Sequence, residues 1–224
     1  MGTRTVAVPR ERVVRWFTTF AERHGEPRLA VLDGALEADA PDGASASARP
    51  PLGARLTGPA TPAALAEAAT APSRWGVLLV RKGGFGVAVV EGERITASKV
   101  GRRHVQGRTK AGGQSQQRFA RRRDNQARQA YEAAAEHAVR LLVGPLDVLV
   151  CGGDRGAVEA VLADPRLRRA AAVRDDLWLA VPDPRQAVLE QAVADALAVR
   201  VTVTDPDAAT PDGTLAGSDP ANGS

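Results

Sequence analysis

The run Leu146-Asp147-Val148-Leu149-Val150-Cys151 is apolar almost throughout, the pattern of a strand buried on both faces rather than one. Such a strand needs other elements packed over each side of its sheet. Two further apolar runs precede it. Val77-Leu78-Leu79-Val80 and Phe85 to Val90 flank the turn Lys82-Gly83-Gly84, and Glu91-Gly92 leads into a third strand, Arg94 to Val100. These three read as an antiparallel meander. Beyond Cys151, Gly152-Gly153-Asp154 turns into a helix at about 157–163. Leu177 to Val181 is then a strand, Arg185 to Ala198 a helix and Val199 to Val203 the last strand. The order predicts an α/β fold, a mixed β-sheet flanked by helices.

The flanks are less regular. Pro9 opens a helix over residues 9–24, with Val13, Val14, Phe17 and Phe20 at helical spacing and Gly25 closing it. Leu29 to Leu32 is a short strand. From Ala35 to about Pro62 the composition shifts to Ala, Pro, Gly, Ser and Asp, which predicts a poorly ordered insert, with a short strand near Ala54–Leu56. A small helix follows at Pro62–Ala69. Residues 205–224 are polar and rich in Pro and Gly, the composition of a disordered tail. Residues 1–204 are therefore expected to form a single α/β domain, the N-terminal helix and strand packing onto the mixed sheet.

Charge is distributed unevenly. Between Lys99 and Arg128 lie ten basic residues against Asp124 alone, a net of +9, whereas the whole chain carries +4. A mildly acidic body thus presents one cationic prong. Inside the prong sits Lys110-Ala111-Gly112-Gly113-Gln114-Ser115-Gln116-Gln117-Arg118, where side-chain bulk gives way to glycine and primary amides. Arginine and lysine neutralise phosphates, and a glycine backbone approaches a polyanion closely. RNA is the first partner this implies. After the loop, Arg118 to Val143 reads as the longest helix, with Ala127, Ala130, Tyr131, Ala134, Ala138, Leu141 and Leu142 on one stripe.

Other chemistry is sparse. One cysteine, Cys151, excludes an internal disulfide, and three scattered histidines (His24, His104, His137) match no zinc-ligand spacing with it. No apolar run approaches membrane-spanning length and no signal-peptide core opens the chain, so a cytoplasmic protein is expected. His104 reads as an RNA contact or strand residue, His137 as a packing histidine and Cys151 as a buried small hydrophobe. Asp175, Asp176 and Asp183 are loop carboxylates without a matched partner. Gly152-Gly153-Asp154-Arg155-Gly156 lacks the lysine and hydroxyl of a P-loop and reads as a tight strand-to-helix turn, with Arg155 free to reach RNA.

The ordered set Arg108-x-Lys110-x-Gly112-Gly113, then Ser115-Gln116, then a long basic helix, resembles the catalytic loop of the Vms-like release factors, within the class 1 release-factor and Pelota superfamily. The actinobacterial branch is the nearest in pattern. The strand block from Trp75 to Val100, the stretch Leu177 to Arg185 and Ala198-Val199-Arg200-Val201 extend the likeness over roughly residues 75–203.

The resemblance implies a fold similar to the catalytic domain of class 1 release factors, with residues 106–117 mobile. It implies attack by water on the ester joining a nascent peptide to tRNA, in the peptidyl-transferase centre of the large ribosomal subunit. Gly112 and Gly113 would admit the backbone. A glutamine amide would orient water and stabilise the developing oxyanion. Gly112-Gly113-Gln114 reproduces the tripeptide of the general release factors, whereas Gly113-Gln114-Ser115-Gln116 fits the Gly-x-x-Gln form of the Vms-like proteins. Gln116 is placed first, Gln114 second and Gln117 third. Arg102, Arg103, Arg108, Lys110, Arg118, Arg121, Arg122 and Arg123 are the expected contacts to rRNA and peptidyl-tRNA. No cofactor, metal, membrane or DNA is expected. The zinc-finger, ankyrin and helical segments of eukaryotic members are not visible, nor is a stop-codon-reading domain, which points to rescue of stalled ribosomes. Two alternatives stay open: a non-catalytic rRNA- or tRNA-binding module, and a nuclease acting on the tRNA acceptor end.

Overall fold

The meander and the buried run assemble into one sheet. The structure, a computed structural model, describes residues 2–102 and 131–206. Strands β5 (Arg74–Arg81), β6 (Gly84–Glu91) and β7 (Arg94–Arg102) form the expected antiparallel meander, closed by two-residue turns at 82–83 and 92–93. Strand β8 (Val148–Gly153) lies parallel to β5 on its free side, and β9 (Arg174–Leu179) lies parallel to β8. The order is β7-β6-β5-β8-β9.

Alternate residues of these strands feed two different cores. Leu78, Val80, Phe85, Val87, Val89, Leu149 and Cys151 point to one side, where they meet Ala134 and Ala138 of α3 (131–141), Leu142 just after it, Val158 and Val161 of α4 (Arg155–Leu162), and Ala170 of α5 (Arg168–Ala172). Trp75, Val77, Leu79, Ala88, Val90 and Val150 point to the other side, against Val188, Leu189, Ala192, Val193 and Ala196 of α6 (Gln186–Ala196). Both faces are therefore covered, as the continuous apolar runs require. The apolar stripe expected on the long helix holds over the described part: Ala134 and Ala138 are fully buried, and Tyr131 and Leu141 pack against the core. The helix stops at residue 141, two residues before expected, and Gly144 (φ +85°) turns the chain away. Its residues before Tyr131 lie outside the described part, as do the expected loop 106–117 and almost all of the expected tail.

The N-terminal third builds a second sheet. Strands β1 (Gly2–Val8), β2 (Arg28–Leu32), β3 (Ala35–Asp39) and β4 (Ser45–Arg49) join β10 (Val199–Asp205) in the order β1-β10-β4-β3-β2, every pair antiparallel. Helices α1 (Val13–His24), entered through a 3₁₀ turn at Arg10–Arg12, and α2 (Pro62–Ala68), capped by Thr61, cover it. Val13, Phe17, Phe20, Leu36, Leu65, Val199, Val201 and Val203 are buried between them. Three expectations are corrected. Residues 35–62, expected to be poorly ordered, carry β3 and β4, because Leu36, Ala38, Ala46 and Ala48 alternate inward at strand spacing. The last strand leaves the mixed sheet and pairs with β1 and β4, so the N-terminal helix and strand pack on a sheet of their own. Residues 54–56 form no strand; Leu56 is instead tied to Gly34 by one backbone hydrogen bond of 2.9 Å. Half-buried Leu52 reaches from this segment into the core of the mixed sheet.

Candidate functional site

Strand direction decides where the basic segment emerges. Because β7 is antiparallel to β6 and β6 to β5, strands β5, β7, β8 and β9 all run the same way. Their carboxyl ends share one edge of the sheet, the edge where ligands meet open α/β sheets. Residue 102 ends β7 there, opposite Gly84. Tyr131, the first described residue after the basic segment, lines a recess with Arg81, Lys82, Gly83, Asp154 and Asp183. The described residues on either side of 103–130, Arg102 and Tyr131, therefore both lie beside the Lys82-Gly83-Gly84 turn.

That edge is held by one side chain. The Arg81 guanidinium donates from Nη1 to the Val181 carbonyl (2.7 Å), and its Nη2 and Nε stand 3.9 Å from Asp154 and 3.5 Å from Asp183. Arg81 thus links the β5–β6 turn to the β8–α4 turn and to the segment between β9 and α6. The Lys82 N–H reaches the Asp154 carboxylate (3.3 Å), and the Asp154 N–H donates to the Val80 carbonyl (2.8 Å). Gly83 fits because a Cβ there would lie 2.5 Å from the Asp183 carboxylate. Gly152-Gly153-Asp154 is the strand-to-helix turn that its sequence predicts, with Gly153 at φ +94°. Arg155 lies over the Trp178 ring, 4.4 Å from its centroid, a cation–π arrangement. The Trp178 indole N–H donates to the Gly153 carbonyl at 3.2 Å.

Of the residues expected to act, Gln114, Gln116, Gln117, Gly112 and Gly113 lie outside the described residues, as do Arg103, Arg108, Lys110, Arg118, Arg121, Arg122 and Arg123. Arg102 is placed by its backbone at the end of β7. His104 is also outside. His137 stacks on Phe85 (5.4 Å between centroids), and burial, followed by Arg140 and Lys99, lowers its pKa. Cys151 is fully buried, and desolvation pushes its thiol up to about 12. Asp183 is corrected: it faces Arg81, a partner 102 residues away that no local pattern announces. Asp175 and Asp176, expected in a loop, lie within β9, where Asp175 accepts the Leu177 N–H. Tyr131 is expected from sequence only on the helix's apolar stripe, and Arg81 and Trp178 are given no role there; the register of β5 against β8 is the signal that brings them to this edge. Among the described residues no three His, Cys, Asp or Glu side chains converge as metal ligands, and no helix is long and apolar enough to cross a membrane.

Residues 73–202, more than half of the chain, match the Actinobacteria/chloroflexi VLRF1 release factor family. The chain belongs to that family. Among solved structures it is similar to one described as the Vms1 mitochondrial localization core, at 9% identity and a TM-score of 0.42, over 74% of this chain and 75% of that one. It is also similar to one described as an archaeal protein (13% identity, TM-score 0.37, 87% of this chain and 66% of that one). A third is the archaeal translation termination factor aRF1 (13%, 0.37, 87% and 64%). No curated protein matches it in sequence.

Proposed function

We propose that the chain is a ribosome-dependent peptidyl-tRNA hydrolase that frees nascent peptides from tRNA on stalled ribosomes or large subunits in the cytoplasm. The observation that carries this reading is the position of Gly112-Gly113-Gln114-Ser115-Gln116 within the release-factor match, on a basic segment flanked by Arg102 and Tyr131 at the carboxyl edge of the mixed sheet. The residue types suit the chemistry. The lysine and arginines neutralise phosphate charge, and each contact releases counterions. Two glycines let the backbone enter a crowded RNA cleft. A glutamine, Gln116 before Gln114, contributes a backbone N–H and a side-chain amide to position water and hold the oxyanion. Donors aimed at developing charge contribute most in a site closed to bulk water. The ester needs no cofactor, because the ribosome and a positioned water provide the remaining groups.

The test is to incubate stalled peptidyl-tRNA–large-subunit complexes with the protein and to size both products. Free peptide with tRNA intact at its 3′ end is expected. A shortened tRNA would move the activity to acceptor-end nuclease. Tight binding with neither product would leave an RNA-binding module.

A further inference from the structure

We propose a second RNA-binding surface, in the groove between α1 and β1, outside the matched residues 73–202 and on the sheet that does not contain β7. The groove encloses about 430 Å³ and is lined by Arg4 from β1 and by Arg12, Arg15, Trp16, Thr19 and Arg23 from the turn and helix that follow. Arg12, Thr19 and Arg23 recur at helical spacing and so share one stripe, and Arg15 and Arg23 are about 12 Å apart along the axis at 1.5 Å per residue. Glu11 and Glu22 fall on the neighbouring stripe, with Val14 and Thr18, and do not line the groove.

Pairing leaves most of this charge available. Arg4 is held by Asp205 at 2.7 Å, and His24, which also lines the groove, is bonded to Asp42 at 2.8 Å and stands 4.0 Å from Asp205. Among the described residues, no carboxylate lies within 4 Å of Arg12, Arg15 or Arg23, all three of which are exposed. Three guanidiniums in a row are repulsive unless an anion lies among them. The floor adds two features. Among the described residues β1 is an edge strand paired with β10 alone, which leaves backbone N–H groups on its outer side without a strand partner. Half-buried Trp16 stacks on Phe20, which fixes its indole at the groove wall. Arginine forks with backbone donors suit the phosphate oxygens of an RNA backbone. The occupant is therefore the sugar–phosphate backbone of structured RNA.

The experiment uses the full chain and its R12A/R15A/R23A variant, binding purified large ribosomal subunits and a plain duplex RNA between 50 and 200 mM salt. The three positions are exposed, so circular dichroism is expected to be unchanged. The slope of log affinity against log salt is expected to fall by about 2–3, at roughly 0.7–0.9 for each lost contact. An unchanged slope overturns the proposal, and so does tighter groove-dependent binding of an acidic peptide of equal charge than of RNA. Peptide release is not the readout. A chain that binds through the groove but releases nothing keeps this inference and loses the catalytic one.

Discussion

Two glycines three residues apart in the β8–α4 turn should respond in opposite ways to the same added methyl group. Gly153 sits at φ +94°, and a Cβ there would run into the Val80 carbonyl oxygen, with Val80 C and Arg81 Cγ at 3.0 Å. The oxygen is fixed, because it accepts the Asp154 N–H at 2.8 Å. Gly153→Ala therefore combines a left-handed backbone cost of about 1–3 kcal/mol with a clash of about 1–3 kcal/mol. A loss of about 3–4 kcal/mol follows, which lowers Tm by roughly 10 °C for a chain of this size. Gly156 is exposed in the first turn of α4, and nothing lies within 4 Å of an added Cβ. Gly156→Ala is expected to stabilise by up to about 0.5–1 kcal/mol, since alanine loses less backbone entropy in a helix. Urea titration of both variants, with equal m-values required, checks the pair. If Gly153→Ala is as stable as the parent, the backbone at that turn does not adopt the left-handed conformation and the account of the edge fails.

Other consequences can be measured directly. Cys151, buried with its thiol pushed up to about 12, should be about one part in 10⁴ thiolate at about pH 8; a thiol reagent is expected to label it only after unfolding, and rapid native labelling would refute the burial. Asp164 is held at about 2 by Arg166, Glu136 is lowered by the same guanidinium, and Asp42 is lowered by the Ala44 N–H and then by His24. Each carboxylate is more acidic when folded, so its stabilisation is present above its ordinary value and is lost as pH falls through the folded one. His137 is also lowered, by burial, so the unfolded chain binds that proton more readily and stability falls once pH drops below about 6.5. Melting curves from about pH 7 to 3 should decline in two stages, with His137→Gln removing the upper stage and Asp164→Asn reducing the lower. Gln116→Ala and Gln114→Ala should keep stability within about 0.5 kcal/mol and retain ribosome binding. One of the two should release peptide about 10²–10³ times more slowly, and parental rates in both and in the double variant would refute the catalytic loop.

The mixed sheet was readable because its signals are local. Lys82-Gly83 and Gly92 mark the hairpins, and unbroken runs such as Val77 to Val80 mark strands with two buried faces. The second sheet was obscured because alanine carries its inward positions: Ala38, Ala46 and Ala48 alternate with Glu37, Ser45 and Ser47, a period-2 pattern of low hydrophobic contrast that reads as low complexity. The position of β10 was recoverable. Val199, Val201 and Val203 alternate with Arg200, Thr202 and Thr204, which describes a strand with one buried face and so argues against a central place in a sheet covered on both. Period, rather than hydrophobicity, was the informative quantity. The Arg81–Asp183 contact lay beyond any such signal, since it depends on two strands and a turn meeting in register.

The same register bears on the proposed function. A segment that must place an amide beside an ester gains rate only if its stems are fixed, because misplacement by about 1 Å can cost on the order of 10² in rate. The entry strand β7 is fixed by its pairing with β6, and Arg81 joins the turns at the ends of β5, β8 and β9. Its value there is geometric. A side chain 39% exposed makes ion pairs at 3.5 and 3.9 Å that contribute little energy in water, whereas the 2.7 Å bond to Val181 and the direction of the guanidinium hold three turns in one arrangement. The fold thus separates two demands that conflict within one segment. Small residues and primary amides are concentrated at 111–117 of the sequence, whereas the order of the described edge comes from Arg81, Gly153 and the covered sheet.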